Sequence, residues 1–158
     1  MLSVHLICVG KLKEKFYLAA CAEYQKRLGA YCKLELTELS EERLPQNPSR
    51  AQIDAALERE AAAIRGKIPQ NSCLVALCVE GKPHSSEELA RLVRTWQDSA
   101  ARHLVFVIGG SFGLAESLKK EAKVRLSMSP MTFPHHLARV MVLEQVYRAF
   151  QIAAGTRY

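Results

Sequence analysis

Two uninterrupted apolar runs, Cys73–Val79 and Leu104–Ile108, constrain what this chain can fold into more than any other feature. A strand with one wet face alternates apolar and polar side chains. A short run without alternation is buried on both faces, and such strands belong to parallel sheets covered by helices on each side. The rest of the chain supplies those helices. Glu14–Leu28 carries Phe16, Ala19, Ala20, Tyr24 and Leu28 at helical spacing, with Gly29 at the C′ position. Ser49 is a helix N-cap for a segment reaching about Arg65, and Ser85 or Ser86 opens another to about Asp98. Gly113–Ala122 reads as a short helix and Pro134–Ala154 as a long final one, with Pro134 at the first helical position, where its missing N–H has no partner to lose. Leu2–Val9, Leu34–Leu39 and Val124–Met128 read as further strands, and Pro45-Gln-Asn-Pro48 as a loop. The expected fold is α/β, one domain over residues 1–158, with a parallel sheet between two helical layers.

Composition narrows the class. With 49% hydrophobic residues the chain is no disordered segment, and its apolar runs are far too short to cross a bilayer. Met1–Gly10 lacks the basic region and cleavage site of a secretion signal, so a cytoplasmic protein is expected. The five cysteines include no CxxC pair; Cys8, Cys73 and Cys78 sit in apolar runs as small hydrophobes, and no metal site is expected. The net charge of +6 is unevenly spread. Residues 1–33 and 119–158 are basic, whereas 38–65 is acidic. Basic ends that met on one face would attract a phosphate backbone; scattered, they would only be a solvated surface.

The sharpest local signal is Val105-Phe-Val-Ile-Gly109-Gly110-Ser111-Phe112-Gly113, a buried strand turning into a helix. Ligands of open parallel sheets bind at such strand ends. A dinucleotide site would need G-x-G-x-x-G and a later acid, and a P-loop would need Gly-Lys-Ser/Thr; neither is present. Gly109–Gly113 does match G-x-S-x-G, the nucleophile elbow of hydrolases, which would make Ser111 a nucleophile with His135 or His136 as base. A turn glycine with no ligand, and an RNA-binding module without activity, are the other readings.

Beyond it, Met128–Phe133 is an apolar loop leading into a helix with two apolar stripes, 137, 140, 141 and 143, 146, 147, 150. A second copy of the chain is the simplest cover for so apolar a helix, so a homodimer is expected, with Val146 and Phe150 in its interface.

Cys-Val-Glu-Gly-Lys at 78–82, Phe-Val-Ile-Gly-Gly-x-x-Gly-Leu at 106–114 and Met-Thr-Phe-Pro-His-x-x-x-Arg-Val-x-x-x-Glu-Gln-x-Tyr-Arg-Ala at 131–149 closely resemble the RlmH family, as do the opening Val-Gly-Lys-Leu-Lys-Glu-Lys and Glu23-Tyr-Gln-Lys-Arg-Leu-Gly29. The resemblance covers essentially the whole chain. It implies a SPOUT methyltransferase fold with a C-terminal trefoil knot, which topology rules alone would never propose. It further implies S-adenosyl-L-methionine as cofactor, a homodimer, and N3-methylation of a pseudouridine in a large-subunit rRNA hairpin on assembled ribosomes. Carried over by residue, Leu77 would line an adenine pocket, Gly109 would admit the cofactor to its backbone, and Met128, Ser129, Pro130, Met131, Thr132 and Phe133 would wrap the adenine. A valine at 109 is then expected to block the cofactor and spare the fold. The bland readings are a core leucine, a turn glycine and a connecting loop.

For the chemistry, His135 is the side chain whose intrinsic pKa best suits a base, though it could equally cap the helix. Arg139 could hold a phosphate or a base anion, and Glu144–Arg148 is spaced as a structural pair. Lys11, Lys13, Lys15, Arg157 and Tyr158 are the expected RNA contacts. Family members usually carry a histidine and a basic residue after a tyrosine such as Tyr158, where this sequence stops.

Overall fold

The computed structural model describes residues 1–100 and 102–156. Five strands and five helices alternate along it: β1 (Ser3–Val9), α1 (Lys15–Leu28), β2 (Lys33–Leu39), α2 (Arg50–Arg65), β3 (Ser72–Pro83), α3 (Ser86–Gln97), β4 (His103–Ile108), α4 (Glu116–Glu121), β5 (Val124–Ser127) and α5 (His135–Ala153). The strands form one sheet in the order β2-β1-β4-β3-β5, and every neighbouring pair is parallel. β4, the shorter of the two apolar runs, sits in the middle.

The period of two along each strand sorts the core into two layers. Leu6, Phe106 and Val75 lie side by side in register and face α1, α3 and α5. Ile7, Val107 and Ala76, one residue on, face α2 and α4. Ser49 and Ser85 close capping boxes with Gln52 and Glu88, so α2 and α3 start where the sequence marks them.

Four local expectations need correction. Gly29 has φ −57°, so α1 ends in a right-handed turn, not a left-handed C′ glycine. Pro134 is extended, with ψ 138°, and precedes the helix instead of opening it. α4 begins at Glu116 because Gly113 has φ +81°, outside the helical region. β3 runs on to Pro83 through a bulge: Leu77 and Lys82 both stand opposite Leu126.

The fifth correction concerns α5. Leu143, Val146 and Phe150 are buried under α1 and α3 of the same chain. Val146 and Phe150 are therefore core residues and need no second copy to cover them. The stripe of Leu137, Val140 and Met141 is only half buried.

α5 is tied down at its start by Arg139, which is 1% exposed. Its Nη1 forms an ion pair with Glu38 at the end of β2, and its Nη2 donates to the Gly10 carbonyl at 3.3 Å. Glu38 also accepts the Leu12 N–H at 2.9 Å. Burial pushes the Glu38 carboxyl up, but the bonds from Arg139 and Leu12 outweigh it and hold the group below the usual carboxylate range.

Glu38→Gln leaves the arginine charge buried and uncompensated. It should destabilise the fold by about 3 kcal/mol, the low end for a broken buried pair because Glu38 itself is partly in water. A depressed carboxylate stabilises fully above its unfolded pKa and loses that contribution as pH falls through the folded one. Urea unfolding at pH 7 and at pH 3 should show the wild-type advantage over Glu38→Gln shrinking in acid; an unchanged gap would remove Glu38 from this role.

Candidate functional site

Because all five strands run the same way, their carboxyl ends share one edge, and the loops that leave them meet there. β4 ends at Ile108, and the chain folds back at once through a bridge between Gly110 and Gly113, whose N–H donates to the Gly110 carbonyl at 3.1 Å. A Cβ on Gly109 would stand 2.2 Å from the Gly113 oxygen. Glycine at 109 is thus demanded by the turn itself. The expectation that valine there spares the fold is overturned, since backbone would have to move before any ligand met the side chain. At Gly110 a Cβ would press on the Glu41 carboxylate at 2.7 Å, and Glu41 accepts the Ser111 N–H at 2.8 Å.

This turn forms one wall of a cavity of about 250 Å³. The bulge of β3, the end of β5, the 128–133 loop and the start of α5 supply the others. Of the residues expected to hold a cofactor, Leu77, Gly109, Met128, Ser129, Met131 and Phe133 border this cavity; Pro130 and Thr132 do not. The loop is braced locally: the Ser127 hydroxyl donates to the Ser129 carbonyl at 3.1 Å, and the Ser129 hydroxyl accepts the Met131 N–H at 3.0 Å.

The lining is split by polarity. Leu77, Ile108, Leu126, Met128 and Phe133 make it apolar, whereas Glu80 and Lys119 bring charge. Such a site suits a molecule with a flat apolar ring and a charged tail. S-adenosylmethionine, the cofactor the family resemblance implies, has that division, so the residues present fit it.

His135 also borders the cavity. Its Cε1 would lie 3.3 Å from a Cβ on Gly10, whose φ of +104° already favours glycine, so the ring rests on the β1–α1 loop. Burial and then the neighbouring His136 lower its pKa, against weaker opposing effects of Glu41 and Glu14. The imidazole is therefore neutral at pH 7. Arg139 lies one turn further on, buried and held by Glu38 and Gly10, with Nε unpaired among the described residues. It does not border the cavity.

Lys11, Lys13 and Lys15 are exposed on the loop and helix start that follow β1, at the same sheet edge as the cavity. Arg157 and Tyr158 lie outside the described residues. Among the described residues no helix is long and apolar enough to cross a membrane, and no group of three or more His, Cys, Asp or Glu side chains is placed to hold a metal. Four thiols are buried, and burial pushes Cys8 up to about 12 and Cys32 and Cys73 up to about 11, and raises Cys21.

The hydrolase reading fails on geometry. The Ser111 backbone lacks the positive φ of a strained elbow, and its N–H is committed to Glu41. No hydrogen bond joins its hydroxyl to an imidazole among the described residues. A second groove, of about 370 Å³, lies across the 126–128 segment and is bordered by Val140 and Met141 of α5. It has neither the glycine turn nor His135.

Glu38, Glu41, Glu80 and Lys119 are the residues that sequence reasoning missed. Each meets a partner across a wide gap in sequence: Glu41 and Ser111 are 70 residues apart, Arg139 and Glu38 are 101, and Lys119 and Glu80 are 39. No spacing rule reaches that far.

Residues 2–158 match a family model described as "Predicted SPOUT methyltransferase". A protein of Clostridium botulinum (strain Okra / Type B1) named ribosomal RNA large subunit methyltransferase H is 45% identical over 157 residues, covering 99% of each chain. Proteins of the same name from Clostridioides difficile (strain 630) and Pelotomaculum thermopropionicum are 44% and 42% identical, covering 99% and 100% of this chain and 99% of their own.

Proposed function

Because the chain belongs to the SPOUT methyltransferase family, we propose that it methylates N3 of a pseudouridine in a large-subunit rRNA hairpin, on assembled ribosomes, with S-adenosylmethionine as donor. The enzyme class is that of its full-length relatives, an rRNA methyltransferase. The observation that carries the reading is the convergence of Leu77, the Gly109 turn and the 128–133 loop on one cavity, since these segments lie up to 56 residues apart (133 − 77).

When bound, the cofactor supplies an electrophilic methyl group. What this chain contributes is position and proton management. The turn and the loop enclose the adenine with backbone and apolar side chains. His135, neutral at pH 7, accepts the imide proton of the target base. Its ring edge packs on Gly10, which fixes where the imidazole stands at the cavity. Arg139 acts as a positioning residue, holding Gly10 and hence the ring. Lys11, Lys13 and Lys15 draw phosphates toward the cavity mouth, and Arg157 and Tyr158 are the further RNA contacts of this reading. The C-terminal trefoil knot that the family resemblance implies belongs to the same proposal.

The test is rRNA from a strain lacking this gene, digested and weighed by mass spectrometry. The methyl group on one pseudouridine should be lost and restored by the wild-type gene. His135→Ala should restore it poorly, with turnover in vitro down by about 10²–10⁴-fold. The wild-type rate should fall only below the ordinary histidine range near pH 6.5, because a lowered pKa keeps the ring neutral further into acid. An unchanged modification pattern sinks the assignment, and an unaltered pH profile in His135→Ala sinks the base.

Ribosome affinity across a salt series tests the lysines. Replacing Lys11, Lys13 and Lys15 together with Gln should lower the slope of log affinity against log salt by about one unit for each phosphate no longer neutralised. Identical slopes would leave these lysines as solvated surface.

The homodimer is assigned to the half-buried stripe of Leu137, Val140 and Met141. Sedimentation at micromolar concentration should give a dimer for the wild type and a folded monomer for Met141→Glu. A wild-type monomer would end that reading.

A further inference from the structure

Lys119 and Glu80 take no part in the chemistry described above, yet they are the oddest residues around the cavity. Lys119 is a lysine with 9% of its surface exposed, and a charge so far out of water needs a reason. Its Nζ lies 2.7 Å from Glu116 and 2.5 Å from Glu80. Glu80 is on the β3 bulge, where residues 78–81 are squeezed out between Leu77 and Lys82, both opposite Leu126. The bulge is a specified feature: a Cβ on Gly81 would stand 2.7 Å from the Arg125 carbonyl oxygen, so only glycine lets the two strands close there. Bulges beside sites commonly re-aim a side chain. This one brings Glu80 to the cavity wall against Lys119.

Together these two place a carboxylate and an ammonium side by side on a lining that is otherwise mainly apolar. Glu80 keeps more than half of its side chain exposed, so its carboxylate is open to a further donor. Building on the methyl-donor reading, we propose that Lys119 and Glu80 seat the amino-acid end of the cofactor, the ammonium of Lys119 facing its carboxylate and the carboxylate of Glu80 facing its α-ammonium. One wall then matches both charges of a zwitterion, while Leu77, Met128 and Phe133 take the adenine. The pair sets specificity for the whole cofactor over its fragments, because a nucleoside without the amino-acid tail gains neither charged contact.

Calorimetry with S-adenosylhomocysteine and with 5′-methylthioadenosine, which keeps the adenosine and sulfur but lacks the amino-acid group, separates the possibilities. Wild type should bind the first more tightly. Glu80→Gln and Lys119→Gln should each weaken S-adenosylhomocysteine on the order of tenfold, the worth of one charge-assisted hydrogen bond, and leave methylthioadenosine unchanged. Unchanged methylthioadenosine binding also shows that the pocket still folds. S-adenosylhomocysteine affinity retained in both variants would overturn the seat and leave the cofactor reading intact. A parallel loss of both ligands in Glu80→Gln, whose side chain is too exposed to hold up the core, would reduce the pair to a brace for the bulge. If the wild type bound neither ligand, the cofactor reading itself would fall, and the seat with it.

Discussion

A guanidinium with 1% of its surface in water must find its counter-charge inside the fold. Arg139 finds it in Glu38, and the geometry of the site follows from that pairing. Glu38 is the penultimate residue of β2, Gly10 directly follows β1, and Arg139 sits in the first turns of α5. One ion pair and one carbonyl contact therefore join three elements that are distant in sequence, at the sheet edge where the loops meet. His135 precedes Arg139 by one turn and rests on Gly10, so the ring position is inherited from the same clamp. The basic loop carrying Lys11 and Lys13 is held by it too, through the Leu12 N–H on Glu38.

The second constraint is the direction of the strands. A wholly parallel sheet sends every strand's carboxyl end to one side, and the peptide groups there have no partner in the sheet. The chain resolves this with two distortions, the glycine turn after β4 and the bulge in β3. Both are enforced by contacts that leave no room for a side chain, at Gly109 and at Gly81. Between them they open the cavity, and between them they fix where its charged and apolar walls lie.

Much of this is legible in the chain. The apolar runs announce buried strands, Ser49 and Ser85 announce helix starts, and Gly109-Gly-Ser-Phe-Gly113 marks the turn. The family resemblance points to Leu77, Gly109 and the six residues of the 128–133 loop, and six of those eight positions meet at the cavity. The errors have a common cause. Val146 and Phe150 look like an interface because a periodic pattern says which residues want cover and nothing about what supplies it; α1 and α3 of the same chain do. Valine at 109 looks tolerable because sequence shows a glycine but not the carbonyl 2.2 Å from its missing Cβ.

The sequence by itself determined the alternation of strands and helices, the parallel sheet, the glycine turn and the family. These are local matters of periodicity, capping and backbone freedom, or of motifs read in order. Only the tertiary structure decided which charges face one another: Arg139 with Glu38, Glu41 with the Ser111 N–H, and Lys119 with Glu80. Those partners are brought together by the order in which strands are laid into the sheet. An electrostatic contact depends on separation in space, and separation along the chain carries no record of it.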